Sequence, residues 1–288
     1  MANTAIVTDS NSGISVAEGK DLGVAVVPMP VHINGKIYFE GDGLTEEFFY
    51  EQQRSGADIF TSQPAPGDIT ALWDRVLEDH DALVYIPTTA GLSNSYATAC
   101  ILAQDYDGRV EVADNRRISV TQRHSVMDAL KMARSGMDAA AIRRTLEEQA
   151  YDACIYITVD NLKYLRKGGR VSGVEAIAGT MLNIKPVLEI YGEKLNAVGK
   201  VRGMKAARED MLRRLRADVE GRLKPLKDAG KLAVKIACSQ VSKELLEDWR
   251  AQVQAAFPDF PPVTGEPLTL SISTHTGPGA LGCGAVRV

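Results

Sequence analysis

Residues 82–99 read ALVYIPTTAGLSNSYATA. The apolar run Ala82–Ile86 has the length of a buried strand, and Pro87 closes it. A polar loop through Thr88, Gly91 and Ser93 follows, and then an alanine-rich helix. Strand, polar loop and helix in that order form the repeating unit of a parallel α/β sheet. The same alternation extends on both sides. Thr4–Thr8 is a β-branched run ending in Asp9-Ser10-Asn11-Ser12-Gly13, and a short helix closes near Gly23. Val24–Ile33 reads as one strand, and Asn34-Gly35 before Lys36–Phe39 predicts a type I′ hairpin. Thr45 ahead of Glu46 and Glu47 predicts a helix N-cap with acids in the first turn. After the polar, proline-rich segment 61–67, Ile69, Leu72, Val76 and Leu77 recur at helical spacing. Val110–Ala113 is another strand, a long helix ends near Gly136, and Asp138 caps a helix ending near Ala150. Strands each followed by a helix predict a doubly wound parallel sheet.

The second half has a different rhythm. Strand Cys154–Val159 leads into a short helix, Asn161–Arg170, broken at Gly168-Gly169, and a further helix is expected near Val174–Leu182. Pro186–Ile190 and Leu195–Val198 flank Tyr191-Gly192-Glu193-Lys194 as a hairpin, and a basic helix runs from about Lys205 to Leu223. Strand Leu232–Cys238, helix Lys243–Ala256, strand Leu268–Ser273, a glycine-rich loop and Ala285–Val288 complete the pattern. Hairpins among helices predict a mixed sheet in a second α/β domain. The boundary falls near Tyr151, giving domains 1–150 and 151–288.

Length agrees, since 288 residues are enough for two domains. A net charge of −4 argues against a general nucleic-acid footprint, and 6% aromatic residues argue against a base-stacking platform. No run reaches the ~18 apolar residues of a membrane span, and residues 1–10 lack the pattern of a secretory signal. The four cysteines, Cys100, Cys154, Cys238 and Cys283, form no CxxC pair and read as reduced structural residues of a cytoplasmic protein. Four scattered histidines make a histidine-based metal site unexpected. Asp9 and Asp114 stand at strand ends where a metal can bind, but without a neighbouring acidic pair turn roles are favoured, so no metal is expected.

Chemistry is expected at loops beyond the carboxyl ends of strands. Thr61-Ser62 offers hydroxyls to an anion, or satisfies its own turn. Gly91-Leu92-Ser93-Asn94-Ser95 offers hydroxyls and free N–H groups at a helix start, and spacing alone leaves anion site and simple cap both open. In Thr274-His275-Thr276-Gly277-Pro278-Gly279 the glycines permit close backbone approach and His275 can donate to a carboxylate or phosphate, or the segment is a tight surface turn with an incidental histidine. Lys163, Arg166, Lys167 and Arg170 surround Gly168-Gly169, and Lys200-Val201-Arg202 adds charge; such a run is a solvated face or, as the paired glycines suggest, a shaped docking surface for an acidic partner.

Taken in order, these loops resemble the DegV family of bacterial fatty-acid-binding proteins. The resemblance is carried by Val7-Thr8-Asp9-Ser10, Thr61-Ser62-Gln63-Pro64, Gly91-Leu92-Ser93-Asn94-Ser95-Tyr96, Leu165-Arg166-Lys167-Gly168-Gly169-Arg170-Val171-Ser172, Leu182-Asn183-Ile184-Lys185-Pro186, Gly199-Lys200-Val201-Arg202 and His275-Thr276-Gly277-Pro278-Gly279-Ala280-Leu281-Gly282. Departures are Thr88-Thr89 where two serines are common, Ala65 within the proline segment, and Asp114-Asn115-Arg116-Arg117-Ile118-Ser119. The resemblance implies an N-terminal three-layer α/β/α domain with a parallel sheet and a C-terminal two-layer domain with a mixed sheet. It implies a long-chain fatty acid such as palmitate, stearate or oleate between the domains, with no other cofactor and no catalytic residue in this chain. Thr61, Ser93 and His275 would hold the carboxylate, with Ser62, Asn94, Thr276, Gly277 and Gly279 in support. A separate dihydroxyacetone-kinase-like subunit would make the acyl phosphate for phospholipid synthesis, docking at Arg170, while Arg202 would serve docking or the head group. Membrane contact would be transient at most. Burying each methylene is worth about 0.8 kcal/mol, so a tail of roughly sixteen carbons gains on the order of 10 kcal/mol.

The rival readings are a hydrolase using Ser93 with His275, a small-molecule kinase, and a lipid sensor. The chain lacks GxSxG and a Walker GxxxxGK[ST] loop, which weakens the first two.

Overall fold

The computed structural model describes residues 3–172, 183–192 and 194–288. The helix expected near Val174–Leu182, Leu182 of its motif, and Glu193 of the hairpin turn lie outside the described residues. The chain divides into two units, one through Tyr151 and one from Asp152 to Val288.

The first unit runs β1 (Thr4–Asp9), α1 (Val16–Leu22), β2 (Val24–Val27), β3 (Pro30–Ile33), β4 (Lys36–Glu40), β5 (Gly43–Leu44), α2 (Glu46–Ser55), β6 (Ile59–Thr61), α3 (Pro66–Asp79), β7 (Ala82–Ile86), α4 (Ser95–Leu102), β8 (Val110–Val112), α5 (Ser119–Arg134) and α6 (Ala139–Glu148). Its main sheet is parallel, in the order β2-β1-β7-β8. On one face Val126, Leu130, Ile142 and Leu146 of α5 and α6 meet Ile6, Val84 and Ile86. On the other, Ile69, Trp73 and Leu77 of α3 and Ala99 of α4 meet Val7, Leu83 and Tyr85. This is the expected α/β/α layering. The chain leaves β1 towards one side of the sheet and returns on the other, so the ends of β1 and β7 flank the switch point where α/β sheets bind ligands.

One expectation fails nearby. Val24–Ile33 is two strands, not one. Pro28 and Pro30 lack the N–H a continuous ladder needs, so the chain breaks there and enters a second, small sheet ordered β5-β4-β3-β6. The Asn34-Gly35 turn joins β3 to β4 with positive φ at both residues (49° and 79°), as a type I′ turn requires.

The second unit runs β9 (Ala153–Thr158), α7 (Leu162–Gly168), β10 (Val171–Ser172), β11 (Ile184–Ile190), β12 (Leu195–Arg202), α8 (Met204–Glu220), α9 (Lys224–Asp228), β13 (Leu232–Cys238), α10 (Lys243–Ala256), β14 (Thr264–Pro267), α11 (Leu270–Thr276) and β15 (Leu281–Arg287). Its mixed sheet is ordered β10-β12-β11-β9-β15-β13-β14, with β15 antiparallel to both neighbours. Met211, Leu215 and Val219 of α8 and Trp249 and Val253 of α10 cover one face, over Tyr156, Val187, Ile236 and Cys283.

Here too one expectation is corrected: Leu268–Ser273 is not a strand. Leu268, Leu270 and Ile272 alternate as strand residues do, but Thr269 accepts the Ile272 N–H at its side chain (3.5 Å) and so starts α11. His275 and Thr276 are therefore helical, and the glycine loop begins at Gly277.

Candidate functional site: two sets of anchored polar loops

In the first unit the candidate loops stand on a buried carboxylate. Asp9 ends β1 and is fully buried. Its Oδ2 accepts the backbone N–H of Thr88 (2.6 Å). Its Oδ1 accepts from Thr88 Oγ1 (3.0 Å), the Asn11 N–H (3.1 Å) and Gln122 Nε2 (3.2 Å). Asn11 Nδ2 donates in turn to Thr88 Oγ1 (3.1 Å). Burial pushes the Asp9 carboxyl above its ordinary range, and the Thr88, Gln122 and Asn11 donors pull it back. The turn role favoured for Asp9 is thus found, but it reaches across β1, β7 and α5.

Thr88 opens the loop that carries Ser93. The carbonyl of Thr89 accepts the N–H groups of Leu92 (3.0 Å) and Ser93 (3.2 Å). Ser93 Oγ lies 2.8 Å from Ser95 Oγ and accepts the Ser95 N–H (3.2 Å). Ser93 is half-buried, while Asn94, at the start of α4, is exposed and makes no side-chain cap. Thr61 ends β6 and is half-buried. Ser62 Oγ lies 3.0 Å from His32 Nε2, and the His32 ring stacks on Phe60 with centroids 4.4 Å apart. Thr98 Oγ1 of α4 donates to Gln63 Oε1 (3.0 Å), which ties the Thr61 loop to the helix behind Ser93. The sequence assigns no role to His32, Gln63, Thr98 and Gln122, since nothing local marks a partner so far along the chain.

In the second unit two motifs that were read separately prove to be one structure. The glycine Gly168, at the end of α7, has no side chain because His275 occupies that space: a Cβ there would lie 2.4 Å from His275 Nδ1. Gly277 has φ +71°, and a Cβ on it would strike the Tyr164 ring at 2.2 Å. Gly279, at φ +78°, passes 3.1 Å from Asp160 by the same measure. Asp160 pairs with the buried Lys185, whose Nζ donates to its Oδ1 (2.6 Å) and carbonyl (2.7 Å). The loop is closed from below, with the Gly279 N–H on Gln240 O (3.0 Å) and the Ala280 N–H on Ser239 Oγ (2.8 Å). Thr276 is buried.

Burial first, and then the Arg170 charge, push the His275 imidazole down to about 4. At neutral pH His275 is therefore a neutral donor or acceptor, and the nearby positive charge is that of Arg170. The Arg170 guanidinium donates to the Gly168 carbonyl (2.6 Å). The residue expected on a docking surface is thus also an electrostatic neighbour of His275. Arg202 is exposed at the end of β12.

Comparison with known proteins agrees along the whole chain. A family model described as "Uncharacterised protein, DegV family" matches residues 3–288. A DegV domain-containing protein of Deinococcus radiodurans is 32% identical over 281 residues, covering 96% of each chain. Among solved structures, a DegV family protein from Thermus thermophilus described as fatty-acid binding superposes with TM-score 0.86 at 30% identity, over 100% of both chains. A fatty-acid-binding DegV family protein from Streptococcus agalactiae gives TM-score 0.86 at 26% identity, over 99% of both.

Proposed function

The chain belongs to the DegV family, and from that premise we propose that it binds a long-chain fatty acid and presents the carboxylate to a separate ATP-dependent kinase. The observation that carries the reading is the full-length likeness to the Thermus thermophilus protein described as binding fatty acid. Thr61, Ser93 and His275 take the carboxylate in this reading, with Ser62, Asn94, Thr276, Gly277 and Gly279 shaping the loops. A neutral His275 donates one hydrogen bond, and the charge that balances the carboxylate comes from Arg170. Charge-assisted bonds of this kind are worth about 1.5–3 kcal/mol each. Arg170 also faces the kinase in this proposal.

The hydrolase alternative is disfavoured on physical grounds. A serine nucleophile needs a base within reach, but the neighbour of the Ser93 hydroxyl is Ser95. A histidine held at about 4 is a poor general base near neutral pH.

Native mass spectrometry of the purified protein, with and without added palmitate, tests the proposal. A one-to-one complex is expected, and failure to bind any long-chain acid overturns it. Arg170→Ala is expected to impair acyl phosphate formation with the cognate kinase, and unchanged turnover removes Arg170 from that step.

A further inference from the structure

The carboxylate of Asp9 is fully buried, and four donors converge on it. We infer that Asp9 is a positioning residue for Ser93, acting through the backbone of Thr88 and Thr89. This rests on the reading that Ser93 binds the fatty-acid carboxylate.

The path is continuous. Asp9 Oδ2 fixes the Thr88 N–H, and Oδ1 fixes its hydroxyl. Thr89 is held next, its N–H on the Arg117 carbonyl (3.1 Å), and its own carbonyl receives the N–H groups of Leu92 and Ser93. Gln122 closes the arrangement from α5, donating to Thr8 Oγ1 (3.3 Å), Asp9 Oδ1 and the Ile86 carbonyl (3.2 Å). The last residues of β1 and β7 are thereby locked to α5. The hydroxyl of Ser93 then projects from a backbone that cannot slide without breaking buried hydrogen bonds. Leaving such a group unsatisfied costs about 1–3 kcal/mol, more than the bond is worth when made.

The geometry also says why the residue is an acid and not an amide. Every contact to Asp9 oxygens is a donor, one on Oδ2 and three on Oδ1. An asparagine keeps three of the four by placing its oxygen at the Oδ1 position. Its NH₂ then faces the Thr88 N–H, donor against donor, at the point where the Ser93 loop is anchored. Asp9→Asn is thus a nearly isosteric change aimed at that loop.

The test is a double-mutant cycle between Asp9→Asn and Ser93→Ala, read as palmitate affinity by isothermal titration calorimetry, with the melting temperature followed in parallel. Asp9→Asn alone is expected to weaken binding about tenfold, a change of about 1.4 kcal/mol. In the Ser93→Ala background the same change should cost less than about twofold, because the group it positions is gone. Equal loss in both backgrounds overturns the inference and leaves Asp9 a general stabiliser. Full affinity in Asp9→Asn overturns it as well. Full affinity in Ser93→Ala alone identifies the failure as that of the carboxylate-site reading, and the positioning role falls with it. If Asp9→Asn does not fold, Thr88→Val enters the same cycle. It deletes the hydroxyl on Asp9 Oδ1 while keeping the backbone N–H on Oδ2, and its loss must likewise vanish without Ser93.

Discussion

The two units fix their candidate loops by different physics. In the first, the loop carrying Ser93 is held by donors gathered on one buried carboxylate, and the space around Thr88 is filled by polar atoms. In the second, the loop after His275 is held by fit: Gly168 and Gly277 admit His275 and Tyr164 at distances no Cβ allows, and Gly279 passes Asp160 where a Cβ would be tight. The first arrangement is sensitive to polarity at constant volume. The second is sensitive to volume at constant polarity. A hydrogen-bonded anchor holds a backbone in register, whereas a steric anchor holds a side chain in its rotamer.

The contrast can be broken most severely at Gly277. Gly277→Ala adds one methyl group, places an alanine at φ +71° and ψ −179°, and drives its Cβ into the Tyr164 ring. Strain and overpacking together predict a loss of about 2–4 kcal/mol in urea denaturation. Gly168→Ala is expected to cost about 1–3 kcal/mol by displacing His275, and most of that penalty should disappear when His275→Ala is present. A penalty that persists would show that the glycine serves backbone conformation and not the histidine. In the first unit, Thr88→Val preserves volume and removes one hydroxyl. It should cost about 1–2 kcal/mol, since the Asn11 amide and the Asp9 carboxylate each lose a partner. A neutral outcome there would erase the difference between the units.

Protonation sharpens the same comparison. The folded state holds His275 at about 4, below the ordinary 6.5, so the unfolded chain takes up a proton first as pH falls. Its stabilising contribution is therefore present above about pH 6.5 and lost as pH falls towards 4. Wild type should lose about 1–3 kcal/mol more than His275→Gln across that window, measured as urea midpoints. The smallest effect expected is from Arg170→Ala. It should move the His275 titration upward in NMR without restoring the ordinary value, because burial is the larger cause.

Much of the fold was legible in residues 82–99 and their counterparts, where apolar runs, polar loops and capping residues follow local rules. Thr45 and Asp138 cap α2 and α6 as read, accepting the N–H groups of Phe48 and Ala141. Local rules also misled. The alternation of Leu268, Leu270 and Ile272 fits a strand until the Thr269 cap is weighed against it. What stayed hidden was long-range pairing. Asp9 meets Gln122 113 residues later, and Gly168 meets His275 although each stood out only within its own motif. Such contacts depend on which strand ends become neighbours, and no spacing within a motif encodes that.

The position of β15 carries a consequence for how the second unit is made. Among the described residues, strands β10, β12, β11 and β9 form one ribbon and β13 with β14 another, and β15 is the strand that joins the two. During synthesis both ribbons leave the ribosome before the strand that zips them together. The open edges of β9 and β13 must wait unpaired, and unpaired edges invite pairing with other chains. In the first unit the edge of β1 waits in the same way for β7, but that sheet is complete once β8 is made, before the second unit begins. The growing chain therefore passes through a stage in which one unit is finished and the other is two half-sheets, and that stage is where a chaperone would have most to protect.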